Sequence, residues 1–314
     1  MIITRTPLRI SLVGGATDMP AFYEKHLGAV VNFAISKYIY VSVNEKFDKN
    51  IRVSYSKTEN VKNIDDLKHD LAREALRYFR YTGGVEVTSV SDIPGEGSGL
   101  GSSSAFAVGI VNALGHGTNP IALAERAFHL ENLCQHPIGK QDIYASSYGG
   151  MNLMTFRGKK VEVSPLYPTD GMQDHFLLLW TGTTRRSSEI LKEQSENFKS
   201  GDTLEIGLEM RTLALRFNDE YRDGMHPARI GLYLNENWRL KKRLATISSP
   251  QIEEKLALGL CNGAYGGKLC GAGGGGFLLF IAPPETHGTI IDVTGLRKVD
   301  FRIEPEGSKV IYHG

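Results

Sequence analysis

The chain has 314 residues, with 36 basic and 35 acidic side chains, 41% hydrophobic residues and 23% charged ones. A formal net charge of +1 creates no field that recruits nucleic acid or an acidic membrane, and the apolar content excludes a disordered or fibrous chain. At roughly 150 residues per domain the length predicts two domains or one large one, with a core that needs no metal or disulfide staple.

Near the N-terminus Leu8, Ile10 and Leu12 alternate with Arg9 and Ser11, which predicts a strand, and a β-rich run follows over 29–43. Arg5 and Arg9 interrupt the apolar residues before a signal-peptide core forms, and no apolar run approaches the ~20 residues of a membrane span. A helix is predicted over 65–81, with Leu67, Leu71, Ala75 and Leu76 on one face and Gly83–Gly84 as its stop. A strand over 85–90, a glycine-rich loop and a small-residue helix over 104–114 come next. Asn119–Pro120 pairs an N-cap with proline at the first helical position, opening a helix to about residue 133. After Gly149–Gly150 a strand covers 151–156, and 166–173 is the best linker candidate.

The second half opens with a buried strand over 176–180. Helical patterns follow over 202–222, 227–246 and 251–261, then a strand over 277–281, a short helix and a strand near 309–312. Strands and helices do not alternate strictly, so the expected class is α+β rather than a doubly wound parallel sheet. Cys134, Cys261 and Cys270 are odd in number and form no C-x-x-C pair, which points to a reducing compartment. The expectation is a cytoplasmic protein without a nucleic-acid or membrane partner.

Glycine is unusually frequent, at 35 residues, and clustered: 14 of the 35 fall at Gly14–Gly15, between Gly95 and Gly101, and between Gly263 and Gly276. Clustered glycine marks backbone that turns tightly or approaches something closely. The strongest signal is the stretch from Pro94 to Ala105, P-G-E-G-S-G-L-G-S-S-S-A, between a predicted strand and a predicted helix. Amides without obstructing side chains wrap a phosphate chain, and the helix N-terminus adds its dipole. The nucleoside-triphosphate P-loop fails here, because no lysine follows Gly101. The dinucleotide fingerprint lacks its third glycine, and the nucleophile elbow of a serine hydrolase around Ser103 fails at Ala105. Gly271 to Gly276 satisfies G-x-G-x-x-G but precedes a strand, so it is expected to be a turn packed against a nucleotide or substrate loop.

That stretch resembles the second motif of the GHMP kinases, the superfamily of galactokinase, homoserine kinase, mevalonate kinase and phosphomevalonate kinase. Thr6 to Asp18, T-P-L-R-I-S-L-V-G-G-A-T-D, resembles the first motif, and Leu269 to Phe277, L-C-G-A-G-G-G-G-F, the third. With P-I-G-K-Q-D at 137–142 and T-G-T-T-R-R-S at 181–187, the chain is most similar to the D-glycero-D-manno-heptose 7-phosphate kinases of that superfamily. The resemblance implies a domain like the second domain of ribosomal protein S5 over 1–168 and a ferredoxin-like domain over 169–314. It implies an ATP- and Mg²⁺-dependent kinase acting on O1 of a sugar phosphate. The alternatives are a C1-kinase for fucose or another hexose, or a catalytically silent relative that senses sugar and ATP.

Site residues follow from the same resemblance. Asp142 matches the catalytic aspartate and Arg9 a basic residue near the phosphates. Pro94, Gly95, Gly97, Ser98, Gly99, Leu100, Gly101, Ser102, Ser103 and Ser104 correspond to the nucleotide loop. Glu131, 11 residues before Asp142, and Ser103 match the Mg²⁺ ligands. Gly14, Gly15, Asp18, Gly273 and Gly274 are placed at the acceptor, and Gly15-Ala16 stands where galactokinases carry a glutamate–histidine pair. Lys140, Arg185 and Arg186 are the candidate cations for the acceptor's own phosphate.

Overall fold

A computed structural model describes residues 1–94, 97–115, 117, 119–134, 138–184 and 187–314. Two sheets organise it. β1 (Ile2–Val13) and β2 (Gly28–Glu45), with helix α1 (Pro20–Tyr23) between them, pair antiparallel at the centre of the first sheet. The hairpin of β3 (Ile51–Ser54) and β4 (Thr58–Val61) forms an edge, with β3 parallel to β5 (Val85–Ser91). Helix α2 (Asp70–Tyr78) connects them. After β5 come α3 (Ser102–Leu114), α4 (Pro120–Leu133) and α5 (Gln141–Tyr148), then the hairpin β6 (Met151–Arg157) and β7 (Lys160–Leu166). One edge of β2 serves two partners: its first half pairs with β6 and its second half with β5.

The second sheet holds β8 (Phe176–Trp180), β9 (Gly266–Leu269), β10 (Phe277–Ile281) and β11 (Arg297–Lys298), ordered β11-β8-β10-β9 and antiparallel throughout. Its helices are α6 (Ser187–Ser200), α7 (Leu204–Arg222), α8 (Pro227–Lys241), α9 (Pro250–Cys261) and α10 (His287–Thr294). The expected division at 168/169 falls between β7 and β8, but the final strand β12 (Lys309–His313) returns to pair with β1. Helices on one sheet and an antiparallel second sheet make the class α+β. Among the described residues no helix is long and apolar enough to cross a membrane.

Local chemistry explains where the elements start and stop. Asn119 Oδ1 accepts from the Ala122 amide at 2.9 Å, with Pro120 at the first helical position, as the N-cap pattern predicts. The helix predicted over 65–81 is broken: a single 3₁₀ turn at Ile64–Asp66 precedes α2. Glu59 causes the break by accepting from the amides of Lys68 at 2.6 Å and His69 at 3.1 Å, which draws that backbone out of the helix. Helix α8 ends at Lys241, short of the predicted 246.

A large apolar core spans the first sheet and its helices, and a smaller one lies between β8, β10 and α9. Phe280 is completely buried in the smaller core. Gly259 and Gly267 leave room for its ring, since a Cβ on either would stand 2.3 and 2.6 Å from ring atoms. Phe280→Ala is therefore expected to cost about 3–5 kcal/mol in urea denaturation, and a loss under about 1 kcal/mol would contradict this packing.

Candidate active site

The glycine-rich loop is shaped by backbone contact. Gly97, Gly99 and Gly101 adopt φ of +68°, +76° and +77°, a region side chains disfavour. A Cβ on Gly99 would lie 2.5 Å from the Cys270 carbonyl oxygen, so the second and third glycine motifs pack backbone against backbone. Gly101 precedes α3 and offers no side chain to cap it, and the helix's first internal bond runs from the Ala105 amide to the Gly101 carbonyl at 2.9 Å. An uncapped helix N-terminus favours an anion. Ser98 and Leu100 are buried, the Ser98 hydroxyl has no partner among the described residues, and Pro94 is exposed. Gly95, and Arg185 with Arg186, lie outside the described residues.

Arg9 lies in the middle of β1 and is 4% exposed. Its Nε donates to Asp142 Oδ1 at 2.7 Å and its Nη2 to Oδ2 at 2.6 Å, while Nη1 donates to the Gly99 carbonyl at 2.8 Å. The guanidinium thus joins the first motif, the glycine loop and the start of α5 by charge-assisted bonds. A Cβ on Gly101 would stand 3.4 Å from Asp142 Oδ2, which puts this carboxylate beside the mouth of α3.

Asp18 anchors the same corner. It is 2% exposed and accepts from the Gln141 amide at 3.1 Å, Gln141 Nε2 at 2.9 Å and the Ala16 amide at 3.1 Å. Burial, followed by repulsion from Asp142, raises its pKa to about 6, against the opposing amide bonds. Gly139 is required here: any Cβ would stand 1.9 Å from Asp18 Oδ2. Gly14 and Gly15 are buried beside it, and the Gly14 amide donates to Asn237 Oδ1 at 2.9 Å. Lys140 is buried with Nζ over the rings of Tyr23 at 5.2 Å and Phe128 at 4.9 Å. Burial lowers its pKa, and it has no carboxylate in salt-bridge contact among the described residues.

Glu131 is the metal candidate. It is 3% exposed, neither oxygen has a hydrogen-bond partner among the described residues, and burial raises its pKa to about 8. The Ser104 hydroxyl nearby opposes that rise, and the charges of Asp142 and Asp70 add to it. Ser103 is exposed, whereas Ser102 and Ser104 are buried. A buried carboxylate with two unspent oxygens beside hydroxyls fits a hard cation. No group of three or more His, Cys, Asp or Glu side chains with metal-ligand geometry occurs among the described residues, so phosphate and water oxygens would complete its shell.

In the third motif the Gly274 amide is already used, donating to the Ile247 carbonyl at 2.8 Å, and a Cβ on Gly273 would stand 2.5 Å from Ile247 Cβ. The Gly276 amide donates to the Thr183 carbonyl at 2.8 Å, tying the turn to the loop that precedes α6. Two further lysines belong to the site that sequence reasoning missed. Lys268 Nζ donates to the carbonyls of Ser11 at 2.8 Å and Leu12 at 2.9 Å, bridging β9 to β1, and burial lowers its pKa to about 7. Lys241 Nζ donates to the Gly271 carbonyl, and burial, with Arg9 next, lowers its pKa to about 8. The available signal was position: Lys241 continues the apolar stripe of α8.

Known proteins align with most or all of this chain. The family models for the GHMP kinases N terminal domain and the GHMP kinases C terminal match residues 69–150 and 224–291. D-glycero-alpha-D-manno-heptose 7-phosphate kinase of Campylobacter jejuni is 32% identical, covering 98% of each chain. The L-fucokinase/L-fucose-1-P guanylyltransferase of Bacteroides fragilis is 27% identical over 88% of this chain and 34% of its own. Among solved structures, a D-glycero-D-manno-heptose 1-phosphate kinase from Bacteroides thetaiotaomicron superposes with a TM-score of 0.80 at 21% identity, over 100% of both chains. Phosphomevalonate kinase of Streptococcus pneumoniae in complex with phosphomevalonate and AMPPNP superposes with a TM-score of 0.74 at 16% identity, over 99% of this chain and 100% of its own.

The state of Glu131 makes a prediction about pH. Folded, it keeps its proton up to about pH 8; unfolded, it loses it near 4.5, so the metal-free fold loses stability as pH rises through that window. Added Mg²⁺ is expected to raise the melting temperature more at about pH 8 than at about pH 5, and Glu131→Gln to remove most of that pH-dependent gain. A Mg²⁺ response unchanged by the substitution would dismiss Glu131 as a ligand.

Proposed function

The chain belongs to the GHMP kinase family, and on that premise we propose that it transfers the γ-phosphoryl group of ATP to O1 of D-glycero-D-manno-heptose 7-phosphate, giving the 1,7-bisphosphate. The observation that carries the proposal is the Arg9–Asp142 pair, clamped to the Gly99 carbonyl at the exit of the glycine loop. A catalytically silent relative has no need to keep a buried guanidinium and a carboxylate at that point. The Campylobacter jejuni relative supports the acceptor, and the AMPPNP complex of the phosphomevalonate kinase supports a nucleotide donor.

Phosphoryl transfer needs positioning and charge more than covalent chemistry from the protein. The amides of Gly97 to Ser104, with the α3 dipole, hold the triphosphate. Glu131 and Ser103 would hold Mg²⁺, which would supply positive charge to the phosphate oxygens. Asp142 accepts the proton of the anomeric hydroxyl as that oxygen bonds to the γ-phosphorus and the bond to ADP breaks. Arg9 fixes the carboxylate from one side and adds positive charge near the transferring group. Gly14, Gly15, Asp18, Gly273 and Gly274 wall the acceptor, and Lys140, Arg185 and Arg186 are assigned to its second phosphate. Lys140 suits that task because its buried ammonium lies over the rings of Tyr23 and Phe128, with the charge of Glu125 acting on it but no carboxylate in salt-bridge contact among the described residues.

Two measurements test the assignment. Asp142→Asn is expected to lower kcat at least ~1,000-fold while leaving MgATP affinity within about threefold; an active variant would end the role. In an acceptor panel, kcat/KM for heptose 7-phosphate is expected to exceed that for unphosphorylated heptose, fucose and mevalonate by at least ~100-fold, the worth of two charge-assisted bonds to a phosphate. The product should carry a new anomeric phosphate by ³¹P NMR. Equal kcat/KM with and without the 7-phosphate, or a preference for fucose, would overturn the acceptor.

A further inference from the structure

Helix α8 turns a stripe inward in which Ile230, Leu234, Asn237 and Lys241 follow at helical spacing, all of them buried. An ammonium on a buried stripe is costly unless something uses its charge. Lys241 is 6% exposed and donates to the Gly271 carbonyl; its two other protons have no acceptor among the described residues. The charged and titratable groups facing it are Arg9 from β1, Asp18 from the first glycine turn, Asp142 from α5, and Cys270 and Lys268 from the third motif.

The Gly271 carbonyl is well placed to transmit a constraint. A Cβ on Gly271 would lie 2.3 Å from Gly99 Cα, so the two glycines are in backbone contact. The Gly99 carbonyl in turn accepts from Arg9 Nη1, and Arg9 grips Asp142. Four contacts therefore lead from Lys241 at the end of α8 to the reacting carboxylate. One turn earlier, Asn237 holds the Gly14 amide, so a single helix face governs both the first and the third motif.

We propose that Lys241 is a positioning residue for phosphoryl transfer: its ammonium pins the Gly271 turn onto the nucleotide loop and thereby holds Arg9 and Asp142 in register. This rests on the kinase reading of the site. A charged donor grips a carbonyl about twice as strongly as a neutral amine, so the constraint weakens when the ammonium loses its proton. Burial and Arg9 bring that loss down to about pH 8, and the sign follows: the pinned state holds below that pH and fades above it. Lys268 loses its proton in the same region, near 7, but its bonds run to Ser11 and Leu12 rather than to the turn.

The test compares wild type, Lys241→Met, Lys241→Arg and, as a control at the exposed ion pair with Glu253, Lys242→Met. Steady-state rates and MgAMPPNP affinity by calorimetry are followed from about pH 6 to about pH 10. Lys241→Met is expected to lower kcat ~10–100-fold and nucleotide affinity ~10-fold, leave the acceptor KM within about threefold, and abolish the alkaline decline centred near pH 8. Lys241→Arg should keep most of kcat and shift the decline to higher pH, and Lys242→Met should match wild type. A folded Lys241→Met with wild-type kcat and pH profile, or one that only melts earlier, overturns the proposal. Should Lys241→Met fail to fold, an alkaline limb still near pH 8 in Lys241→Arg overturns it equally. If no heptose serves as acceptor, the acceptor assignment falls alone, because MgAMPPNP affinity and its pH dependence still decide the role of Lys241.

Discussion

A guanidinium in the middle of a strand cannot stay buried without an anion, and Arg9 finds one 133 residues further along the chain. The two-pronged bond to Asp142 fixes more than an ion pair. It sets where α5 begins relative to β1, and through the Gly99 carbonyl it sets how the glycine loop lies over both. Removing Asp142 would leave Arg9 as an unpaired buried charge, among the most costly defects a fold can carry. Geometry of this kind holds a carboxylate in place before any substrate arrives, which is what a reaction governed by positioning requires.

Around that pair the protein keeps an unusual density of buried charge. Asp18 is tied to the first turn of α5, Glu131 lies buried at the end of α4 near the Ser104 hydroxyl, and Lys241 and Lys268 reach in from the second sheet and its helices. Their pKa values are pushed toward neutrality, carboxylates up and lysines down, with burial the leading cause each time. Perturbed groups gather where polyanionic ligands and cations are to be bound, because each stores unsatisfied electrostatic demand that a ligand relieves. The glycine motifs serve the same end from the backbone side: by packing without side chains, Gly99 and Gly271 bring the two sheets' loops close enough for these charges to act on one another.

The sequence made legible whatever is local. Alternation in β1, the Asn119–Pro120 cap and the inward strands at 176–180 and 277–281 each depend on neighbours within a few residues. Arg9 stood out as a charge in an apolar strand, but no spacing rule connects it with Asp142; only the family resemblance brought the two into one reaction. Gly139 was invisible because its need arises from the Asp18 carboxylate pressed against it. Lys241 was passed over although its spacing puts it on the inward stripe of α8, because lysine is ordinarily a solvent residue and the carbonyl it holds lies on a turn 30 residues later. Strand β9 escaped for a similar reason: Gly266 and Gly267 lack strand propensity, yet a Cβ on Gly266 would stand 1.9 Å from the Gly231 carbonyl oxygen, so packing with α8 decides that segment. The break at 67–69 likewise reflects Glu59 on a neighbouring strand rather than any helix stop nearby.

The most direct measurement is a crystal structure of the protein with Mg²⁺, AMPPNP and heptose 7-phosphate bound together. The triphosphate should lie along the amides from Gly97 to Ser104, with its terminal phosphorus facing Asp142 and the anomeric oxygen within hydrogen-bond reach of that carboxylate. A nucleotide seated away from the glycine loop, or an acceptor whose anomeric oxygen points elsewhere while Asp142 serves Arg9 alone, would contradict the arrangement on which the chemistry depends.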